Sequence, residues 1–198
     1  FIGFCIPSGA NWPSPFAAAR YEVTGIEHEV DTLVDGIAVS PVPELISSSA
    51  IAHHCVLLEV KSGSVKDRQA RAYKAITVSQ LVVAGLASEE IEASRAEVDV
   101  IYMANQDSAV RLSADFGRAG VQFPLVVSEP SSFRLLEGSL RNLSMHQSFA
   151  EGLAMDEAAW PMHFVRCDRE SGEGELAALC IRKMVALLLR HGQFDIEL

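Results

Sequence analysis

The fold is decided by the stretch His54-Cys55-Val56-Leu57-Leu58-Glu59-Val60-Lys61-Ser62-Gly63. An apolar, β-branched run of this length that ends at a glycine predicts a buried strand. Side chains alternate between the two faces of a sheet, so Glu59 and Lys61 point to one face and Val60 to the other. An acid and an amine at the end of a hydrophobic strand are costly unless they have partners or a function. This pair is therefore the first candidate for a functional site.

A second acid lies upstream, in the segment His28-Glu29-Val30-Asp31-Thr32-Leu33-Val34. Its polar and apolar residues alternate, with an imperfect phase, and this predicts another strand. If the two strands are neighbours, Asp31 converges with Glu59 and Lys61. Two carboxylates make a hard oxygen site suited to Mg²⁺ or Mn²⁺. The alternative interpretation of these three residues is a structural ion pair at the end of a strand.

These residues resemble the PD-(D/E)xK nuclease superfamily, whose pattern is an Asp, a variable gap and then Glu/Asp-x-Lys on the next strand. Asp31 and Glu59-Val60-Lys61 match that pattern, with Val30 where the family name has proline. The segment Gln69-Ala70-Arg71-Ala72-Tyr73 is similar to the Gln-x-x-x-Tyr motif of the RecB-like branch. The resemblance covers residues 14–130.

The resemblance implies a nuclease that hydrolyses phosphodiester bonds with a divalent metal ion, Mg²⁺ or Mn²⁺. Asp31 and Glu59, together with the Val60 carbonyl, would hold one or two ions. Lys61 would position the attacking water or stabilise the transition state. In the family a glutamate on the first helix often joins the metal site, and Glu22 is the candidate here.

The Gln-x-x-x-Tyr segment falls on a predicted helix. Gln69 and Tyr73 are four residues apart and therefore share one face of it. The resemblance implies that they support the site or contact the nucleic acid strand. They could equally form a hydrogen-bonding pair at the edge of the core.

The implied fold is an αβββαβ core, which is an α/β (α+β) mixed sheet flanked by helices, as in restriction endonucleases. We expect an irregular leader at 1–13, the nuclease-like core at 14–130 and a mainly helical C-terminal extension at 131–198. The individual elements are predicted from apolar periodicity and turn residues. They are a helix over 16–22 ended by Gly25, a returning strand over 37–39 and a long connection to His53. Further along they are a helix over 65–83, a strand over 97–103, a helix over 108–116, a strand over 123–127, helices over 139–154 and 175–191, and a strand over 160–165.

The composition predicts one folded domain with a real core. Its 198 residues are 49% hydrophobic and 21% charged, which argues against a disordered chain. No apolar run reaches the ~18 residues of a membrane span, and no signal peptide is visible. The four cysteines lack the paired spacing of a disulfide framework or a zinc site. These features predict a cytoplasmic protein with reduced thiols and no membrane association.

The net charge of −10 is unusual for a domain that binds nucleic acid, because such domains usually show a basic footprint. Positive charge is nevertheless concentrated between residues 61 and 74, where Asp67 is the single acid. Besides Lys61, the basic residues there are Lys66, Arg68, Arg71 and Lys74. We expect these four to bind the phosphates of a nucleic acid, most simply DNA.

The acidic balance leaves a second interpretation open, in which a nuclease-like fold serves as a binding or scaffold module without catalysis. The chain starts at Phe1, so we expect a fragment of a larger protein. Either a homodimer or fusion to further domains would fit that expectation.

Overall fold

The computed structural model describes residues 21–154, except 89, 93, 130 and 131. The chain divides into two units, 1–159 and 160–198, and every described residue belongs to the first. The predicted leader at 1–13 and all elements predicted beyond 154 lie outside the described residues, as does most of the helix predicted over 16–22.

The described residues form nine strands and four helices. The strands are β1 (Glu22–Ile26), β2 (Thr32–Val34), β3 (Ile37–Val39), β4 (Leu45–Ser49), β5 (His54–Val60), β6 (Glu97–Ala104), β7 (Leu125–Ser128), β8 (Ser132–Glu137) and β9 (Leu153–Ala154). The helices are α1 (Asp67–Ala75), α2 (Val78–Val83), α3 (Gln106–Ala119) and α4 (Leu143–Glu151).

Seven of the described strands form one mixed sheet in the order β1-β4-β5-β6-β7-β8-β9. Strands β1, β4 and β5 are antiparallel neighbours, whereas β5, β6 and β7 run parallel. The parallel step from β5 to β6 needs a crossover, which α1 and α2 supply. Strands β8 and β9 continue the sheet by antiparallel pairing. The predicted α/β class, with a mixed sheet flanked by helices, is confirmed.

The core lies on both faces of this sheet, and β5 explains why. Cys55 and Leu57 pack into one apolar cluster with α1, α2 and α3, while Val56 and Leu58 pack into a second cluster with α4. All four side chains are buried. A strand that is covered on both faces reads as a continuous apolar run, which is the pattern of the deciding stretch.

The helix predicted over 65–83 is wrong in one respect, since it is two helices. α1 ends at Ala75, and Thr77 then caps α2 in a reciprocal arrangement with Gln80. A Thr followed three residues later by Gln satisfies two backbone N–H groups at once and therefore starts a new helix.

Three predictions around the first strands are wrong. Glu22 and Gly25 lie on β1 rather than on a helix and at its end. The strand predicted over 28–34 is reduced to β2, which pairs with β3 through a turn at Asp35-Gly36 in a separate two-stranded sheet. The long connection before His53 contains β4, which is buried throughout. β4 is therefore the antiparallel neighbour of β5.

None of the described helices is long and apolar enough to cross a membrane.

Candidate functional site

The candidate site lies at the carboxyl end of β5, on the face covered by α1. Glu59 is only 1% exposed and pairs in register with Tyr102 of β6. On its other side, Leu58 pairs with Leu45 of β4, and continuing that register by one residue places Glu44 across from Glu59. Directly opposite residues point to the same face of a sheet. Glu44, Glu59 and Tyr102 thus form one row across three adjacent strands.

Both carboxylate oxygens of Glu59 have partners. Lys61 Nζ lies 2.5 Å from Oε1, and the Tyr73 hydroxyl donates to Oε2 at 2.5 Å. Lys61 follows Glu59 by two residues and therefore shares its face of the strand. Tyr73 reaches the carboxylate from the α1 layer above the sheet. The structure thus brings Glu59, Lys61 and Tyr73 together, whereas the sequence predicted that Glu59 and Lys61 converge with Asp31.

Burial raises the pKa of the Glu59 carboxyl to about 7. The hydrogen bonds from Lys61 and Tyr73 lower this pKa, and the neighbouring charge of Glu44 raises it again. Two acids and one lysine leave the row with an excess of negative charge. A carboxyl group in such surroundings is stabilised by a proton or by a cation.

Glu44 was missed by the sequence prediction. It directly precedes β4, is half-buried, and its Oε2 accepts a hydrogen bond from the Val60 N–H at 3.0 Å. The dipeptide Pro43-Glu44 is a proline followed by an acid, with Glu in place of the Asp of the family name. That dipeptide was a usable signal, but the serines that follow it disguised the strand.

Tyr102 was also missed, and it is the most constrained member of the row. The side chain is completely buried, and its hydroxyl has no hydrogen-bond partner in the described part of the chain. Its ring packs edge-on against Tyr73 and Phe116, with centroids 5.8 and 4.8 Å away, and lies 5.0 Å from Phe123. Burial first, and then the charges of Glu59 and Glu44, raise the pKa of this phenol well above its usual value. Tyr102 is therefore a fixed, protonated donor.

Asp31 does not lie on a strand beside Glu59, so that prediction is wrong. It precedes β2, outside the seven-stranded sheet, and is exposed. Its carboxylate accepts a hydrogen bond from Ser40 Oγ at 2.7 Å, and its carbonyl accepts one from Gln80 Nε2 at 3.0 Å. Within the described ranges, the carboxyl group that acts on Glu59 is that of Glu44.

The other predicted site residues, Gln69, Glu22 and Val60, are not members of the row. Gln69 is half-buried one turn before Tyr73 and has no side-chain hydrogen bond within the described ranges. Glu22 is exposed on β1, at the edge of the sheet. Val60 directs its side chain outward, 46% exposed, and its N–H to Glu44. Between residues 21 and 154, omitting the four undescribed positions, no group of three or more His, Cys, Asp or Glu is arranged to hold a metal ion.

The predicted phosphate-binding residues lie on or just before α1. Lys66, Arg68, Arg71 and Lys74 are all exposed. Arg71 Nη1 is bound to Asp35 Oδ2 at 3.2 Å, so the turn of the β2–β3 hairpin is tied to this helix. The positive surface therefore exists, with one of its members already paired.

A cleft of about 530 Å³ opens at the other end of β6, lined by residues 97–100 together with Lys74 and Arg141. Tyr73, whose hydroxyl contacts Glu59, also lines this cleft, whereas Glu59 itself pairs with Tyr102 nearer the carboxyl end of β6.

Comparison with protein-family models, with curated proteins and with solved structures found no match to this chain.

Proposed function

We propose that the protein is a divalent-metal-dependent nuclease of the PD-(D/E)xK type, with Glu44 in the place that the sequence pattern gave to Asp31. The observation that carries this proposal is the row at the end of β4 and β5, where two acids face each other beside Lys61. An acid pair with a lysine two residues after the second acid is the pattern to which the sequence was similar.

The order of elements supports the same family. Strands β1, β4 and β5 form an antiparallel meander, a helical crossover follows, and β6 then lies parallel to β5. This corresponds to the βββαβ part of the restriction-endonuclease-like core, with the β2–β3 hairpin as an insertion between its first two strands.

The residues present fit a hard divalent ion. Carboxylate and carbonyl oxygens are the ligands that Mg²⁺ and Mn²⁺ prefer, and Glu44, Glu59 and the Val60 carbonyl would supply them. Burial, and to a smaller extent the charge of Glu44, raises the pKa of Glu59, so a bound cation would stabilise the charged form of this carboxyl group. When bound, a divalent ion supplies Lewis-acid stabilisation of the phosphate and lowers the pKa of water.

The remaining chemistry comes from the chain itself. Lys61 is 25% exposed, so its ammonium group can turn from Glu59 toward a phosphate or an attacking water. There it would stabilise the charge that develops in the transition state. Tyr73 holds the second oxygen of Glu59 and fixes the orientation of its carboxylate. Lys66, Arg68, Arg71 and Lys74 would bind the backbone of the substrate, most simply DNA.

The test is Mg²⁺- or Mn²⁺-dependent cleavage of single- and double-stranded DNA and RNA, with EDTA as the control. We expect cleavage by the wild type. Lys61→Ala should lower the rate by a factor of ~10²–10³, the usual loss for one electrostatic contact in a transition state. The same variant should keep its metal, because the two acids remain. Cleavage at the full rate by Lys61→Ala would refute the role given to the lysine.

A second candidate function is a binding or scaffold module without catalysis. It is favoured by the partners of Glu59, because both of its oxygens are already engaged by the protein, and by the net charge of −10. Absence of both cleavage and Mn²⁺ binding in the wild type would select this candidate.

A further inference from the structure

The Tyr102 hydroxyl is a buried polar group that the resting structure does not use. Its side chain has no exposed surface, and its oxygen has no hydrogen-bond partner among the described residues. Buried polar groups are paired in the great majority of cases, because an unpaired one loses its hydration without compensation. The position is therefore costly as it stands.

The Tyr102 phenol lies within the influence of the two carboxylates of the row. Its ring is enclosed by Tyr73, Phe116 and Phe123, none of which offers an acceptor better than a phenol oxygen. The acceptors within the row are the carboxylates of Glu59, its register partner, and Glu44. At present Glu59 is occupied by Lys61 on one oxygen and by Tyr73 on the other.

We propose that Tyr102 is a positioning residue, whose hydroxyl takes over the Glu59 oxygen that Lys61 releases when the lysine turns toward a substrate. This role rests on the nuclease function proposed above. Without a replacement donor, departure of Lys61 would leave a buried carboxylate short of a partner and free to rotate. With it, the orientation of Glu59 is kept by two phenols, Tyr73 from α1 and Tyr102 from β6.

A thermal double-mutant cycle tests this exchange without any need for cleavage. The four proteins are the wild type, Tyr102→Phe, Lys61→Met and the double variant, melted without metal at pH 8. Met keeps the aliphatic stem of Lys61 and removes only the ammonium group. In the wild type, Tyr102→Phe removes an unpaired hydroxyl and should raise Tm by about 2–5 °C. In the Lys61→Met background the hydroxyl has become the partner of Glu59, and Tyr102→Phe should lower Tm by a similar amount.

The matched control is Tyr21→Phe. Tyr21 is another buried tyrosine, but its hydroxyl is already bound to His54 and Asn142. Its loss should lower Tm equally in both backgrounds, because it does not interact with Lys61. A change of the same sign for Tyr102→Phe in both backgrounds, or no change in either, would overturn the proposal.

The kinetic readout separates positioning from mere packing. Tyr102→Phe should lower kcat about tenfold with KM unchanged, because only the step in which Lys61 leaves Glu59 needs the hydroxyl. An unchanged kcat would overturn the role. If the wild type cleaves nothing, the nuclease proposal fails, while the sign reversal in the thermal cycle still decides whether Tyr102 can replace Lys61.

Discussion

Strand β5 carries a buried polar group at each end, and the surroundings of the two groups differ. Glu59, near the carboxyl end, faces a second acid, one lysine and a tyrosine hydroxyl without a partner. His54, at the amino end, is just as buried, at 3% exposed. Burial therefore does not distinguish the two ends, and the difference lies in the groups that surround them.

The polar groups at the amino end of β5 form a network with residues of other elements. His54 Nδ1 is bound by the Tyr21 hydroxyl, and its Nε2 lies 3.2 Å from Asp99 Oδ2, without the alignment of a hydrogen bond. Asp99 also accepts from the backbone N–H of Arg141 at 2.7 Å, and Asn142 Nδ2 donates to the Tyr21 hydroxyl at 3.3 Å. Through His54 and Arg141, Asp99 therefore links β5 and β6 to the segment before α4. We infer that the amino end stabilises the fold, whereas the carboxyl end holds destabilising polar groups that the proposed function needs.

The strongest effect on stability should come from a substitution at the amino end of β5. Asp99→Ala removes the acceptor next to His54 Nε2 and the Arg141 backbone N–H and should destabilise the protein by about 2–6 kcal/mol, at about 1–3 kcal/mol for each buried donor left without a partner. Chemical denaturation measures this change. Mn²⁺ affinity of the folded variant should stay at the wild-type value. Loss of metal binding in a protein that is still folded would erase the distinction between the two ends.

The carboxyl end of β5 should make the stability of the protein depend on pH. The pKa of Glu59 in the folded protein is about 7, above the ordinary value of 4.5 that applies when the chain is unfolded. Between these values the unfolded chain releases a proton that the folded protein keeps, so stability falls as pH rises through this window and levels off above it. The expected loss is about 3 kcal/mol.

Glu59→Gln removes the titrating group and is the matched test of that window. The variant should lose most of the decline in metal-free stability between pH 4.5 and 7, and it should melt higher than the wild type at pH 8. Urea unfolding at several pH values measures both. An unchanged decline would mean that another group produces it, and that Glu59 is charged at low cost.

Much of the carboxyl end could be predicted because its residues are close in sequence. Glu59 and Lys61 share a face by the period of the strand, and Tyr73 follows on the next helix. The position of Asp31 could not be predicted in this way, because the neighbour of β5 is set by pairing between distant segments. The true neighbour, β4, contains Ser47-Ser48-Ser49 after two prolines, and such a composition is typical of a loop.

β4 forms a strand despite its serines because its backbone is paired on both sides, with β1 and with β5, although the buried Ser47 hydroxyl has no partner among the described residues. Sequence patterns report side chains, whereas this strand is held by its backbone. Glu44 was missed for the same reason, because only the register of β4 against β5 places it across from Glu59. The break between α1 and α2, by contrast, was readable from Thr77 and Gln80.

The smallest of the expected effects concerns the basic residues of α1, of which Lys74 also lines the cleft at the amino end of β6. Charge reversal at Lys74 should weaken nucleic acid binding and reduce the salt slope by about one, the value for one lost phosphate contact. Arg71→Glu should do less, because Arg71 is already paired with Asp35 in an exposed ion pair. Fluorescence anisotropy at several salt concentrations measures both slopes. Equal binding by both variants and the wild type would place the substrate elsewhere.

The identity of the second acid is the central question for the proposed metal site, and calorimetric titration with Mn²⁺ decides it. Glu44→Gln and Asp31→Asn are matched variants, since each replaces one carboxylate by its amide. Glu44 lies across from Glu59, whereas Asp31 is exposed beside a separate hairpin. We expect Glu44→Gln to abolish Mn²⁺ binding and Asp31→Asn to bind as the wild type does. Binding that survives Glu44→Gln and disappears in Asp31→Asn would contradict the account.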